Sequence, residues 1–286
     1  MSRRKLHYKR MFSYTEISSK NNENLRTAIL LRAMHGNTKK VREAGEICIE
    51  GVRLCEDVLS SGFAPRQLFF TKEKIALIQM WIERFSISDM CRFFLLPEHL
   101  FTQLAGTKTP QGVAAIVHLP GMPEKIPLHG SDIFLICEDV SDPGNMGTMI
   151  RMADAFSFSA VLYTKNTVSP YNEKVIRASM GSCFHIPLIE FETIGAICEA
   201  LGEYNIHMIG THLQGNSLDG TEFSFPAAFV IGNEARGLSD TCAAFCRQLL
   251  KIPMEGKAES LNAAAAAAII GYEISKQRRI NQNRMD

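Results

Sequence analysis

A chain of 286 residues with 46% hydrophobic and 21% charged residues can build real cores, which excludes disorder over the whole chain and leaves room for two modest domains. The formal net charge of +1 at pH 7 points to no class of partner. Basic residues crowd the two ends, with Arg3, Arg4, Lys5, Lys9 and Arg10 in a tail over 1–25, and Lys276, Arg278, Arg279 and Arg284 at the finish; such ends either touch phosphates or stay solvated.

In chain order, the apolar spacing predicts a helix over 26–43, a strand at 47–49, a helix at 51–60, a strand at 67–70, a helix at 72–85, a strand at 93–96, a short helix near 98–104 and a strand at 113–117. The stretch 119–131 holds Pro120, Pro123 and Pro127 with Gly121 and Gly130, which interrupt any regular element and mark a linker. A boundary near residue 125 follows, giving domains 1–125 and 126–286. Beyond it, apolar runs at 133–137, 160–163, 206–209, 228–231 and 249–253 have the length of buried parallel strands. Helical patterns lie at 145–156, 172–180, 192–203 and 260–279. The alternation predicts an α/β fold with a parallel sheet, preceded by a smaller α/β domain. In such sheets ligands sit beyond the carboxyl ends of the strands.

The eight cysteines contain no C-x-x-C pair, and Cys242 and Cys246, which share a helical face, have no histidine at zinc-like spacing. No metal is expected; buried thiols in a reducing cytoplasm account for them. No run nears the roughly 18 apolar residues that cross a bilayer, and the basic start lacks the core of a signal peptide. The expectation is a cytoplasmic protein without a membrane partner.

Three strand-end segments carry the chemistry. In Asp142-Pro143-Gly144-Asn145-Met146-Gly147-Thr148-Met149-Ile150-Arg151, Asn145 is placed to cap a helix. Met146, Met149, Ile150, Ala153 and Phe156 form the buried stripe, with Arg151 off it. By itself Arg151 reads as an ordinary surface arginine. In Gly232-Asn233-Glu234-Ala235-Arg236-Gly237-Leu238-Ser239, the glycines have the spacing of a phosphate-binding loop, but Leu238 stands where that loop needs lysine. A plain turn with Ser239 as the next helix cap is the alternative. Ile252-Pro253-Met254-Glu255-Gly256 leads through Glu259 to Ser260-Leu261-Asn262 and six alanines, a helix capped by Ser260 on propensity alone. No G-x-G-x-x-G occurs in the chain, which disfavours a dinucleotide-type fold.

These segments, in this order and with Lys174-Val175-Ile176-Arg177-Ala178-Ser179-Met180-Gly181-Ser182 between them, resemble the signature motifs of the SpoU/TrmH family of SPOUT methyltransferases over residues 130–275. Glu50-Gly51-Val52-Arg53-Leu54 and Thr109-Pro110-Gln111-Gly112-Val113 look like the family's substrate-binding domain, similar in fold to a ribosomal RNA-binding protein. The resemblance implies a homodimer whose catalytic domain is tied in a deep trefoil knot, a rare exception to unknotted chains. It implies S-adenosylmethionine held by Gly232, Ile252 and Leu261, with Met254 and Ser260 beside them. It implies methylation of a ribose 2′-hydroxyl in RNA, ribosomal RNA ahead of tRNA, with a non-catalytic RNA-binding relative as the other reading. Arg151 would be the key catalytic residue, either gripping a phosphate and orienting the ribose or acting with a phosphate on the proton. Asn145, Glu234 and Asn262 match the other polar positions, Glu234 orienting Arg151 or Asn145 and Asn262 holding the ribose or the loop. Ala235 departs from the usual glycine, and the alanines after Asn262 replace valine and serine.

Overall fold

The computed structural model describes residues 12–105, 109–121, 126–128, 130 and 132–283. The basic residues 3–10 and Arg284, and the boundary expected near residue 125, lie outside them. The chain forms two compact units, one through Met34 and from Lys39 to Leu119, the other taking His35–Thr38 and the chain from Pro120 onward.

The first unit contains β1 (Thr15–Glu16), α1 (Glu23–Ala33), α2 (Thr38–Ala44), β2 (Glu46–Glu50), α3 (Val52–Ser60), β3 (Pro65–Phe70), α4 (Ile75–Arg84), β4 (Arg92–Leu95), α5 (Glu98–Ala105) and β5 (Val113–His118). Its sheet runs β1-β4-β3-β5-β2, parallel at β3–β4 and antiparallel where β5 meets β2 and β3. The single helix expected over 26–43 is two, because the chain leaves α1 at Met34 and restarts at Thr38. The intervening Gly36-Asn37 is poor helix material. Leu25, Ala28 and Leu31 of α1 pack with Phe69, Phe94 and Phe101 to form the core. The two segments that carry the resemblance in this unit meet. Glu50 accepts a bond from Gln111 N at 3.0 Å, and the Gln111 side chain accepts from Val52 N at 2.7 Å, capping α3 from across the sheet.

The second unit contains β6 (Ile133–Cys137), α6 (Pro143–Ala155), β7 (Ala160–Thr164), α7 (Glu173–Ser179), β8 (Leu188–Phe191), α8 (Ile194–Gly202), β9 (His207–Ser217), β10 (Ala227–Ile231), α9 (Asp240–Phe245), β11 (Gln248–Lys251) and α10 (Ala263–Gln282). The sheet runs β11-β9-β10-β6-β7-β8, and every pairing is parallel. Strand β8 is an addition to the expected elements of this unit, too short to show a period, and α9 is the short helix anticipated after Ser239. Strands β6, β7 and β10 are buried along their whole length, as expected of a sheet covered on both faces.

Helix α6 is the element that aims the first motif. Met146, Met149, Ile150 and Ala153 are fully buried, each large apolar side chain contributing about 1.5–3 kcal/mol. Phe156 is only partly buried, resting edge-on against Tyr272. The cap differs from expectation. Asp142, not Asn145, caps the helix and accepts from Asn145 N, with Pro143 in the first turn. Proline suits that position because its missing N–H would have no helical partner there. Asn145 is thereby freed for other bonds.

The Lys174–Ser182 segment supplies a seat for this helix. A Cβ on Gly147 would stand 2.5 Å from Ala178 Cβ and 2.7 Å from the Val175 carbonyl oxygen, so α6 and α7 touch through a missing side chain. On the other flank, α10 lies alongside α6 from end to end. Its Arg278 donates to the carbonyls of Phe156 and Ser157 at 2.8 and 2.9 Å. The basic C-terminus is thus in part an internal cap, with Lys276 paired to Glu273 and Arg279 bonded to Ser275. Gly147→Ala should cost about 1–3 kcal/mol by overpacking. Urea unfolding of the variant beside the parent checks it; an unchanged midpoint would mean the two helices separate freely.

Candidate active site

The strand order reverses between β6 and β10, and a ligand crevice is expected outside the carboxyl ends of the strands at such a point. The loops that leave β6 and β10 there are bound to each other. Glu138, buried at the end of β6, accepts from Ser239 N at 3.0 Å and from the Ser239 hydroxyl. Ser239 also caps α9 as expected. Asn233 Nδ2 donates to the Asp139 carbonyl at 2.8 Å, while its Oδ1 accepts from Ala235 N and Arg236 N. The turn closes on itself through Asn233 N to Gly237 O and Gly237 N to Asn233 O, at 3.0 and 2.8 Å. Gly232 is obligatory: a Cβ there would stand 2.3 Å from the Gly237 carbonyl group.

Glu234 is the hub. Its carboxylate accepts from Ser141 N (3.1 Å), Ser141 Oγ (2.9 Å), Asp142 N (3.0 Å) and Asn145 Nδ2 (3.0 Å). Asn145 Oδ1 then accepts from Asn262 Nδ2 at 2.8 Å, and Asn262 Oδ1 caps α10 by accepting from Ala264 N and Ala265 N. Asn262 therefore holds the cap expected of Ser260. Burial pushes the Glu234 carboxyl up, but the bonds from Asn145, its own backbone N–H, Ser141 and Asp142 outweigh it and hold the group at about 2. One bonded line runs from the second motif through the first to the third.

Beside this line lies a cavity of about 480 Å³, within the range of small-ligand sites. Gly232, Ile252, Met254, Ser260 and Leu261 all line it, as does Glu234. Thr211, His212, Leu213 and Gln214 line it too, and these the sequence reading passed over. They belong to β9, whose pairing to β11 jumps from Gly210↔Leu249 to Asn216↔Leu250, so that 211–215 bulge toward the cavity. The one available signal was the Gly210 and Gly215 pair, where added Cβ atoms would stand 2.6 Å from Leu249. Asn145 and Asn262 stand behind Glu234 and are not cavity lining. Arg151 is exposed and lies about 9 Å farther along α6 than Asn145 at 1.5 Å per residue. Glu234 holds Asn145 and makes no bond to Arg151, which has no hydrogen-bond or ion-pair partner among the described residues. Those residues also contain no cluster of three potential metal ligands, and no helix long and apolar enough to cross a membrane.

A parallel α/β unit with a cavity walled by the ends of β9, β10 and β11, beside the switch point between β6 and β10, defines an α/β enzyme of the ligand-binding kind. The SpoU rRNA Methylase family matches residues 132–272, and an MRM3-like substrate binding domain matches residues 31–115. The 23S rRNA (guanosine(2553)-2'-O)-methyltransferase RlmP of Bacillus subtilis is 32% identical over 240 residues, 83% of this chain and 92% of that one. The 23S rRNA (uridine(2479)-2'-O)-methyltransferase of Streptomyces viridochromogenes is 29% identical over 256 residues, covering 86% and 88%. The crystal structure of the SpoU methyltransferase AviRb from Streptomyces viridochromogenes, in complex with the cofactor AdoMet, superposes with a TM-score of 0.77 at 28% identity over 91% of this chain and 99% of that one. This chain belongs to the SpoU rRNA methylase family.

The depressed Glu234 value fixes a sign. Stabilisation by its hydrogen bonds is complete above the ordinary carboxyl value of 4.5 and is lost as pH falls toward about 2. The stability difference between the parent and Glu234→Gln should therefore stay constant from neutral pH to about 5 and shrink below it. Paired unfolding curves across that range test this; a difference that shrinks near neutrality would contradict it.

Proposed function

We propose that this protein transfers the methyl group of S-adenosylmethionine to a ribose 2′-hydroxyl of ribosomal RNA. The observation that carries the reading is the junction of Asn145, Glu234 and Asn262 in one bonded line beside a cavity lined by Gly232, Ile252, Met254, Ser260 and Leu261. The 2'-O-methyltransferase names of the two relatives support it, and so does the AdoMet-bound neighbour. The cavity suits the cofactor on its own chemistry. An ionised Glu234 at the wall favours a cationic sulfonium by simple attraction, and Ile252, Leu261 and Ile231 offer apolar surface to a base.

Bound there, the cofactor supplies a methyl group already activated for in-line attack. The chain supplies position. Arg151 presents a planar fork that grips an RNA phosphate beside the target ribose and turns its hydroxyl toward the cavity. Glu234 keeps Asn145 and the start of α6 in place, and Asn262 fixes the start of α10 and the loop before it. The first unit, around the Glu50–Gln111 bracket, holds the folded RNA and shares the fold of a ribosomal RNA-binding protein. The second unit is threaded in a trefoil knot and pairs with its copy in a homodimer. The eight free thiols fit a reducing cytoplasm.

Incubation with labelled cofactor and ribosomal RNA should yield an alkali-resistant, ribose-methylated dinucleotide. Arg151→Ala should lower the methylation rate by about 100-fold or more, the scale of losing one transition-state contact. Its cofactor affinity should stay unchanged, and Arg151→Lys should recover only part of the rate because it lacks the fork. An Arg151→Ala protein with parental rate would sink the assignment.

A further inference from the structure

One charged pair outside the bonded line of the site stands on the same helix face as Arg151. His185 Nδ1 lies 2.9 Å from Asp154 Oδ2, with the two side chains 33% and 30% exposed. An ionised carboxylate can only accept, so the imidazole nitrogen is the donor. Asp154 lies on α6 three residues after Arg151, and Gly147 lies four residues before it. At 3.6 residues per turn these three positions share one face of the helix. Gly147 meets the Val175 carbonyl and Ala178, and Asp154 meets His185. Arg151 is therefore set between two contacts with the same stretch of chain.

The backbone that carries His185 is fixed. Met180 and Gly181 have φ of 50° and 89°, which ends α7 and opens the single turn Ser182–Phe184. Those three residues are buried, and His185 N donates to the Ser182 carbonyl at 3.0 Å. The bond to Asp154 matters for what it displaces. Helical positions three apart hold their Cβ atoms about 5–6 Å from each other, within ion-pair reach of an arginine. Yet Arg151 has no partner among the described residues, although a carboxylate stands one turn along on its own face. Arg177 and Glu173 of α7 are paired with each other at 2.7 Å.

We infer that His185 is a positioning residue for methyl transfer: it holds the Asp154 carboxylate away from Arg151, so that the guanidinium meets an RNA phosphate unpaired. The inference rests on the role proposed for Arg151. Without the imidazole, Asp154 turns to Arg151 as an ion pair along the helix, and incoming RNA must displace it before its phosphate is gripped. An exposed pair with the cation ahead of the anion is weak, so RNA at saturation still wins. Such competition lowers apparent RNA affinity by the fraction of protein whose guanidinium is open. It raises KM and leaves kcat alone.

Steady-state methylation of ribosomal RNA by the full-length protein, with S-adenosylmethionine saturating, tests this. His185→Ala should raise the KM for RNA about threefold at unchanged kcat, the scale of an exposed ion pair. His185→Asn, whose amide nitrogen can stand near the place of Nδ1, should keep the parental KM. Adding Asp154→Asn to His185→Ala should return KM to the parental value, a rescue that lost packing would not give. His185→Ser serves in place of the alanine variant if that one does not fold. A crystal of His185→Ala should show an Arg151 nitrogen within about 4 Å of an Asp154 oxygen, a result independent of any RNA assay. An Arg151 still unpaired in that crystal, an unchanged KM, or a loss of rate that Asp154→Asn does not repair would each overturn the proposal while the parent remains active. A parent that methylates no ribosomal RNA would instead overturn the functional reading, and the part of His185 in transfer with it.

Discussion

The site depends on one side chain that faces two ways. Glu234 can only accept hydrogen bonds while ionised, so Asn145 must turn its amide nitrogen toward it, and the amide oxygen is left for Asn262. Asn262 in turn must donate, which aims its own oxygen at the free N–H groups of α10. The polarity of the line admits a single orientation of each amide. A carboxylate at the opening of α6, accepting from Asp142 N, is also the charge that a helix N-terminus favours. Bonds to charged groups contribute about 1.5–3 kcal/mol in a typical case, but this carboxylate is largely exposed, so geometry is its main yield.

Topology makes that line possible. Chain order carries β6, β7 and β8 outward on one side, and β9 and β10 then return to the other, leaving β6 and β10 as central neighbours. Their loops carry the first and second motifs and emerge at the same edge. The third motif reaches them because α10 packs along α6 in the same direction. Asn262 meets Asn145 at the starts, Gly271 rests under Met152, and Arg278 closes the carbonyls at the far end. Arg151 lies between these clamps. Its backbone is held at both ends of the helix while its guanidinium has no partner among the described residues, and the role proposed for it needs both a rigid base and an unspent fork.

The central strands of the second unit were legible as unbroken apolar runs, and the fully buried β6 and β10 were the plainest. The cap positions were misread at Asn145 and Ser260 although the signals were printed. Asp142-Pro143 is the stronger start, since proline needs the first helical turn, and Asn262 stands directly before the alanines. Rank order among capping residues cannot choose between serine and asparagine two positions apart; the bond from Asn262 to Asn145 makes that choice, and it is tertiary. The β9 bulge was beyond reach for a related reason. A run such as Thr211-His212-Leu213-Gln214 has no period, and its place at the cavity comes from a register jump against β11 that only the assembled sheet defines.

The same line of bonds limits how the proposed reaction can proceed. Glu234 is held at about 2 and gives its oxygens to Ser141, Asp142 and Asn145, so it has neither the basicity nor the open lone pairs of a general base. Asn145 and Asn262 do not titrate, and a guanidinium stays protonated. None of the four polar motif residues can take the hydroxyl proton as a free side chain at neutral pH. Proton loss then falls to water or to a phosphate oxygen that the RNA itself brings under Arg151. What the protein contributes is order: well-held reacting groups are worth about 7–11 kcal/mol of barrier, enough to account for a methyl transfer with no dedicated base. The bonded line through Asn145 is in that case the catalytic apparatus in its structural form, since it fixes where the arginine stands relative to the cavity.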